Sequence, residues 1–258
     1  MKFSILITSY NKGQYLEECI KSCLEQTNRN FEIIICDNYS DDDSDQIFEK
    51  YKRNIRLIKK KRDSSFPSIN QIELIKEGFL NITGDFVCLL DADDYFLPKK
   101  LEILQNEISK KKSCDVIFDL PLIKKFHRIT KFKLKEKKQK NIWPTIINTS
   151  SMSLSKSYLK KCIEKNILQN FNFLEIDFRI NVYSRCIDKN FTIIEQDITV
   201  YRKVENSIMS NINKYSAKWW HKRLEAHKFM EDEYNKNNLL YLNKIDYNLS
   251  KVLSKIFN

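Results

Sequence analysis

The chain has 258 residues, of which 42% are apolar and 31% charged, with a mean hydropathy of -0.50; it is long enough to bury a substantial core and too long for a stapled miniprotein. Its only glycines are Gly13, Gly78 and Gly84. Neither a Gly-x-Gly-x-x-Gly fingerprint nor a Walker-type phosphate loop can be built from them, which argues against Rossmann dehydrogenases and P-loop NTPases. The formal charge of +11 lies wholly in the later part: residues 1–100 carry 15 Lys+Arg against 17 Asp+Glu, and residues 101–258 carry 30 against 17.

In chain order, the first 120 residues alternate short apolar runs with helical patterns, the signature of a mostly parallel sheet covered by helices. Phe3 to Thr8 reads as a buried strand. Tyr15, Leu16, Cys19, Ile20, Cys23 and Leu24 recur at helical spacing and predict a helix from about Gln14 to Gln26. Phe31 to Cys36 is a second strand, followed by the acidic turn Asp37 to Asp43 and a helix through Ile47, Phe48 and Tyr51. Ile55 to Ile58 predicts a third strand, Ile72 to Leu80 a third helix, and Phe86 to Leu90 a fourth strand that runs into Asp91-Ala92-Asp93-Asp94. Pro98 opens the next helix, and Cys114 to Asp119 supplies a fifth strand. Beyond lie a basic run from Lys124 to Lys140, a strand around Thr149 to Leu154, a helix from about Glu175 to Ile187, a strand near Ile193, and helical sequence from Ser216 onward.

Seven cysteines without a Cys-x-x-Cys pair, most of them in apolar runs, read as buried thiols of a reducing compartment. Cys19 and Cys23, four apart on one helix, lack the partners of a metal site and are expected to pack. Met1-Lys2-Phe3-Ser4 is not expected to begin a signal peptide, and no apolar stretch of the sequence is long enough to read as a membrane-spanning helix. The basic run suits either a solvated face or attraction to anionic lipid or a phosphorylated substrate. No recognised nucleic-acid motif accompanies it, so no nucleic-acid partner is expected.

Ligands of open parallel sheets bind beyond the carboxyl ends of the strands, where Asp37 and the Asp91 cluster fall. Three carboxylates in four residues raise one another's pKa unless a cation neutralises them. Mg²⁺ or Mn²⁺ completed by a substrate diphosphate suits such a hard-oxygen site. The alternative is that Asp93 or Asp94 caps the helix near Pro98.

Four blocks in order, Ile5-Leu6-Ile7-Thr8-Ser9-Tyr10-Asn11-Lys12, Leu16 to Thr27, Phe31 to Asn38, and Gly84-Asp85-Phe86-Val87-Cys88-Leu89-Leu90-Asp91-Ala92-Asp93-Asp94, closely resemble the family-2 glycosyltransferases of GT-A fold over residues 1 to about 105. Later the resemblance thins to Ser150-Ser151-Met152-Ser153, Glu175-Ile176-Asp177-Phe178-Arg179, and Tyr201-Arg202 followed by Ser207 and Ser210. It implies an α/β fold with one Rossmann-like, mostly parallel sheet flanked by helices. Residues 1–215 would form the transferase domain, with a nucleotide-binding half (1–120) and an acceptor-binding half (121–215), and residues 216–258 a helical extension.

In that family the segment matching Thr8, Ser9 and Tyr10 lines the nucleotide pocket. The acid matching Asp37 accepts a hydrogen bond from the base, usually uracil, a sound pairing of carboxylate and imide. Asn38 and Tyr39 depart from the commoner Asp and Gly. Asp63 lies in the loop that often completes the pocket. Asp91 matches the acid that contacts ribose, Ala92 lies between the two acids, and Asp93 matches the acid on the metal.

The resemblance also implies that the catalytic base comes from Glu175-Ile176-Asp177. The pair cannot share one helical face, and Asp177 aligns more naturally than Glu175. Arg179, Arg185 and Arg202 are candidates for the diphosphate, Arg202 foremost. The family often has a His soon after that Arg; here Lys203-Val204-Glu205-Asn206 follows. His127, His221 and His227 read as surface or structural. Tyr215, Trp219 and Trp220 either stack on an acceptor sugar or anchor a helix.

The expected activity is inverting transfer from a nucleotide-diphosphate sugar, UDP-linked, to a growing surface glycan or its lipid-linked precursor. It would take place in the cytoplasm, with peripheral contact to an anionic membrane. The rivals are a sugar-phosphate nucleotidyltransferase, which would want a glycine-rich N-terminal loop, and a non-catalytic basic module binding membrane or nucleic acid.

Overall fold

The computed structural model describes residues 1–110, 114–134, 143–204, 212–241 and 243–257. Lys135, Glu136, Lys137, Lys138 and Lys140 of the basic run, and Glu205, Asn206, Ser207 and Ser210, lie outside the described residues.

Strands β1 (Phe3–Ser9), β2 (Phe31–Asp37), β3 (Arg56–Lys59) and β4 (Phe86–Asp91) pair in parallel in the spatial order β3-β2-β1-β4. Helices α1 (Gly13–Leu24), α2 (Ser44–Tyr51) and α3 (Pro67–Phe79) connect them, and the apolar spacing in α1 and α3 accounts for their buried faces. Beyond β4 the sheet continues with β9 (Met152–Ser155), antiparallel to β4 and to β6 (Val116–Asp119), and ends at β10 (Thr192–Ile194) beside β6.

Alternation along the strands fills both faces of this sheet. Phe3, Ile5 and Ile7 pack with Leu16, Ile20, Leu101 and Leu104 on one side. Leu6, Ile34, Val87 and Leu89 pack with Ile72, Ile75, Leu159 and Phe229 on the other. Burial on two sides is why the strands read as near-continuous apolar runs. Six of the seven cysteines are buried and all seven are free thiols, Cys19 and Cys23 within one of these clusters.

A second sheet, not anticipated from the sequence, joins β5 (Tyr95–Phe96), β11 (Thr199–Arg202), β7 (Leu122–Lys125) and β8 (Arg128–Lys131) in the order β5-β11-β7-β8. It carries the described part of the basic run as a hairpin. Lys124, Lys125, Arg128 and Lys131 lie on its strands, and Phe126 is exposed at its turn. The predicted strand over Thr149 to Leu154 divides into a 3₁₀ turn, Thr149–Ser151, and β9. Helix α4 (Lys100–Lys110) precedes β6, and α5 (Lys156–Glu164), capped by Ser155, follows β9. The expected helix near Glu175 is α6 (Ile176–Val182), which widens into a π-helical turn at Tyr183–Asp188. Ser216 caps α7 (Ala217–Lys236), whose Ala226, Phe229 and Met230 enter the core; α8 (Lys244–Ile256) packs on α7. No helix among the described residues is long and apolar enough to cross a membrane.

Candidate active site

From β1 the chain steps outward through β2 and β3, then returns to place β4 on the other side of β1. At such a reversal the connections diverge and leave a crevice at the carboxyl ends of the strands. The register sets Thr8 opposite Asp91 and Ser9 opposite Asp37, so the ends of β1, β2 and β4 stand in one row. A cavity of about 310 Å³ opens there. Its floor is Thr8, Ser9, Tyr10, Asp91, Ala92 and Asp93; its far walls are Asn148 and Thr149, Glu175 and Asp177 of the α6 entry, and Tyr201 and Arg202 of β11.

The three acids after β4 have separate partners. Asp91 is held by Thr8 Oγ1 at 2.9 Å and Gln71 Nε2 at 2.7 Å, both donating to Oδ1. Burial first, and then the charge of Asp93, push its pKa up to about 6. Asp94 is fully buried and accepts from Ser150 Oγ at 2.5 Å and from the Arg202 backbone N–H at 2.7 Å. It therefore ties the end of β4 to the second sheet. Asp93 carries a salt bridge to Lys12 Nζ at 2.7 Å.

Lys12 also lines the cavity, so it supplies the neutralising cation that the sequence led one to seek in a metal ion. Among the described residues no three His, Cys, Asp or Glu side chains gather into a metal shell. Asp91 and Asp94 are held by hydrogen-bond donors of the fold, whereas the ion-pair partner of Asp93 is already a cation, Lys12. One carboxylate plus substrate phosphates is a sufficient anchor for Mg²⁺. Asp93 would therefore fit a divalent metal completed by substrate phosphates.

Arg202 reaches the same wall, donating from Nη1 to the Asp93 carbonyl at 2.7 Å, pairing through Nη2 with Glu18, and stacking 4.5 Å over Tyr95. Arg179 does not serve a diphosphate. Its guanidinium is buried and donates to the backbone carbonyls of Ile167, Gln169, Asn170, Phe171 and Leu174, organising the loop before α6. Arg185 likewise turns away, donating to Thr145 O and Asn181 Oδ1.

The base loop also differs from expectation. Both oxygens of Asp37 accept from Ser40, through the backbone N–H at 2.8 Å and Oγ at 2.6 Å, and Asn38 lines the cavity where Asp37 does not. Tyr39 sits at φ 55°, the left-handed region that favours the glycine usual at this place. Asp63 is exposed, while its neighbour Arg62 enters the cavity and stacks 4.2 Å over Tyr10.

At the α6 entry the two acids diverge. Glu175 is buried and accepts from Lys222 Nζ of α7 at 2.6 and 2.5 Å. Asp177 has no ion-pair partner among the described residues; its Oδ1 accepts from the Phe178 backbone N–H at 2.6 Å. Burial, then the charge of Glu175, push its pKa up to about 7. A carboxylate poised there can take a proton at neutral pH.

Two polar groups of the cavity stand without partners, and one of them, Asn148, was missed in the sequence. Ser9 Oγ and the side-chain amide of Asn148 are buried at the cavity with no hydrogen-bond partner among the described residues. Such orphaned groups suit a polar ligand. An uncharged Asn in a loop leaves no periodic signal, whereas Lys12 lay in a recognised block and was passed over because its partner is remote in sequence. His227 is structural as expected, bridging Tyr241 OH and Asp246. Tyr215, Trp219 and Trp220 form one aromatic cluster, with Trp219 edge-to-face against both of the others.

The profile of Glycosyl transferase family 2 matches residues 4–163. An uncharacterized glycosyltransferase of Methanocaldococcus jannaschii is 28% identical over 216 residues, covering 77% of this chain and 70% of that protein. One from Rickettsia conorii is 36% identical over 104 residues, 40% of this chain but only 16% of that much longer protein. Escherichia coli chondroitin synthase is 30% identical over 118 residues, 45% of this chain and again 16% of its own length. Among solved structures, S. aureus TarS 1–349 in complex with UDP-GlcNAc superposes with a TM-score of 0.66 at 19% identity, over 100% of this chain and 71% of that one. The expected GT-A architecture, a mainly parallel sheet flanked by helices, is therefore met, and with most of the chain matched, this protein belongs to glycosyl transferase family 2.

Proposed function

We propose that the chain transfers a sugar, with inversion, from a UDP-linked donor to a growing cell-surface glycan. The observation that carries this reading is that one cavity is lined both by Asp177, which has no ion-pair partner among the described residues and whose pKa is pushed up to about 7, and by the cations Lys12, Arg62 and Arg202. Thr8, Ser9, Tyr10 and Asn38 would surround the nucleoside, with Asp37 acting through the loop it braces and Asp91 reaching the ribose. Lys12 and Arg202 would meet the diphosphate. Asp93 would hold Mg²⁺ or Mn²⁺, which when bound stabilises charge on the departing diphosphate.

Asp177 accepts the proton of the acceptor hydroxyl as its oxygen bonds to the anomeric carbon. The bond from that carbon to the diphosphate oxygen breaks on the opposite face, and UDP leaves with the electron pair. Glu175, neutralised by Lys222, sets the entry of α6 rather than the chemistry. The UDP-GlcNAc bound to TarS supports a UDP donor. Residues 1–120 then act as the nucleotide half, 121–215 as the acceptor half and 216–258 as a helical extension. The basic excess after residue 100 supports work at the cytoplasmic face of an anionic membrane carrying lipid-linked acceptors.

The test is release of UDP from a mixed panel of nucleotide sugars, with and without Mg²⁺ or Mn²⁺. UDP release that rises with added acceptor glycan is expected. Pyrophosphate instead of UDP would replace the reading with nucleotidyl transfer, and neither product would remove it.

A further inference from the structure

Helix α8 sets Tyr247 against His227 of α7 but turns a second, apolar stripe away from the core. Its face against α7 buries Ser250 and Ser254, whereas Ile245, Leu249, Val252 and Ile256 are 87%, 48%, 54% and 64% exposed. Spacings of four, three and four residues put these side chains in one stripe along a helix about 20 Å long. Exposed Leu240 and Phe257 lie at its two ends. A surface helix of a globular protein normally does the reverse, burying its apolar stripe and showing its small polar residues.

The charges around the stripe identify its occupant. Lys244, Lys251 and Lys255 are exposed along one flank. The helix's single acid, Asp246, is taken up by Arg223 at 2.7 Å and by His227. The free charge of α8 is therefore all positive. A second copy of the chain would bring the same lysines toward their like, and the stripe covers less than two heptads where a coiled coil needs three or four. An anionic lipid surface complements both features, taking the stripe at the acyl boundary and the ammonium groups at the headgroups.

We infer that α8 is an interfacial docking helix for anionic membrane, distinct from the catalytic cavity and from the basic β7–β8 hairpin. It would hold the protein beside lipid-borne acceptors, but the inference rests on the exposed stripe and its lysines, not on the transferase reading.

The experiment is flotation of the full chain with phosphatidylcholine vesicles, with and without phosphatidylglycerol, at low salt. The wild type is expected to float only with the anionic vesicles. The variant Ile245→Ser/Val252→Ser/Ile256→Ser is expected to lose roughly tenfold or more in partitioning, since each buried methylene counts in such binding, while its thermal midpoint stays unchanged because the stripe is exposed. Lys244→Glu/Lys251→Glu should lose the preference for anionic lipid. A serine variant that floats like the wild type, a wild type that binds neither vesicle, or loss of binding only in the hairpin variant Lys124→Glu/Lys125→Glu would each overturn the inference. So would a wild-type dimer in sedimentation that the serine variant dissociates, which would assign the stripe to a second copy. No nucleotide sugar is used, so failure here leaves UDP release standing, and failure of UDP release leaves α8 standing.

Discussion

Two carboxylates two residues apart find different partners because α7 offers a lysine to Glu175 while Asp177 accepts only from the Phe178 backbone N–H among the described residues. Asp177→Asn is expected to keep donor binding and lose turnover by roughly 10²- to 10⁴-fold, the scale of general-base catalysis; Glu175→Gln should lose far less. In the wild type kcat/KM should fall as pH drops below about 7, where Asp177 becomes protonated. Stability carries the opposite sign. A carboxyl whose folded pKa lies above its unfolded value gives stability that is whole below about pH 4 and lost as pH rises through about 7. Asp177→Asn should therefore raise the thermal midpoint by a few degrees at pH 8 and by less at pH 5. Equal midpoint gains at both pH values, or an active Asn variant, would remove Asp177 as the base. Lys12 makes a separate claim on donor binding. Lys12→Ala should raise the donor KM roughly tenfold at low divalent metal, with recovery at high metal, because Asp93 has lost its resident cation. A donor KM unchanged at every metal concentration would separate Lys12 from the diphosphate.

The elements that hold the site in register depend on close approaches that few substitutions survive. At Gly84, just before β4, an added Cβ would stand 2.7 Å from the backbone of Phe3 and Ser4 in β1. The N–H of Gly84 also takes the Ser4 hydroxyl as acceptor at 2.9 Å. Gly84→Ala must push β4 from β1, and overpacking of this kind costs about 1–3 kcal/mol. Because Thr8 and Asp91 are register partners across those strands, urea unfolding should show the loss of stability and donor titration a weaker affinity. A variant as stable as the wild type would mean that the strands yield without cost. Strand β5, the hairpin and β11 escaped the sequence reading for a physical reason. They have two to four residues each, too few for a period to register.

Across the whole molecule, Lys100 joins what the chain order keeps apart. Its ammonium is buried and donates to Asp119 Oδ2 at 2.7 Å, Ser150 O at 3.0 Å and Thr199 Oγ1 at 2.7 Å. These are the end of β6, the 3₁₀ turn before β9 and the start of β11, so one side chain links both sheets behind the cavity. Lys100→Met would strand a buried carboxylate, a loss of about 3–5 kcal/mol, and adding Asp119→Leu should return part of it. If Lys100→Met alone unfolds in urea at the wild-type midpoint, the pair is not the link described. Nothing in the sequence marked Lys100 or Asp119, because a lysine in a helix's first turn ordinarily reads as surface.

The sequence by itself determined the parallel half of the fold and the floor of the cavity. Apolar runs of strand length, helices at 3.6 spacing and acids at the strand ends are local patterns that mark Asp91 and Asp93, while Thr8, Ser9, Tyr10 and Ala92 were legible through the blocks that resemble the family. Arg202 and Asp177 were legible through short blocks later in the chain. Tertiary structure alone decided which charge meets which: Lys12 on Asp93, Lys222 on Glu175, Ser40 on Asp37, and Arg179 on five carbonyls instead of a phosphate. It also turned Arg62 rather than Asp63 into the cavity and left the apolar stripe of α8 facing outward. Pairing of charges and the direction of a side chain depend on which distant segment packs alongside, and local periodicity carries no record of that neighbour.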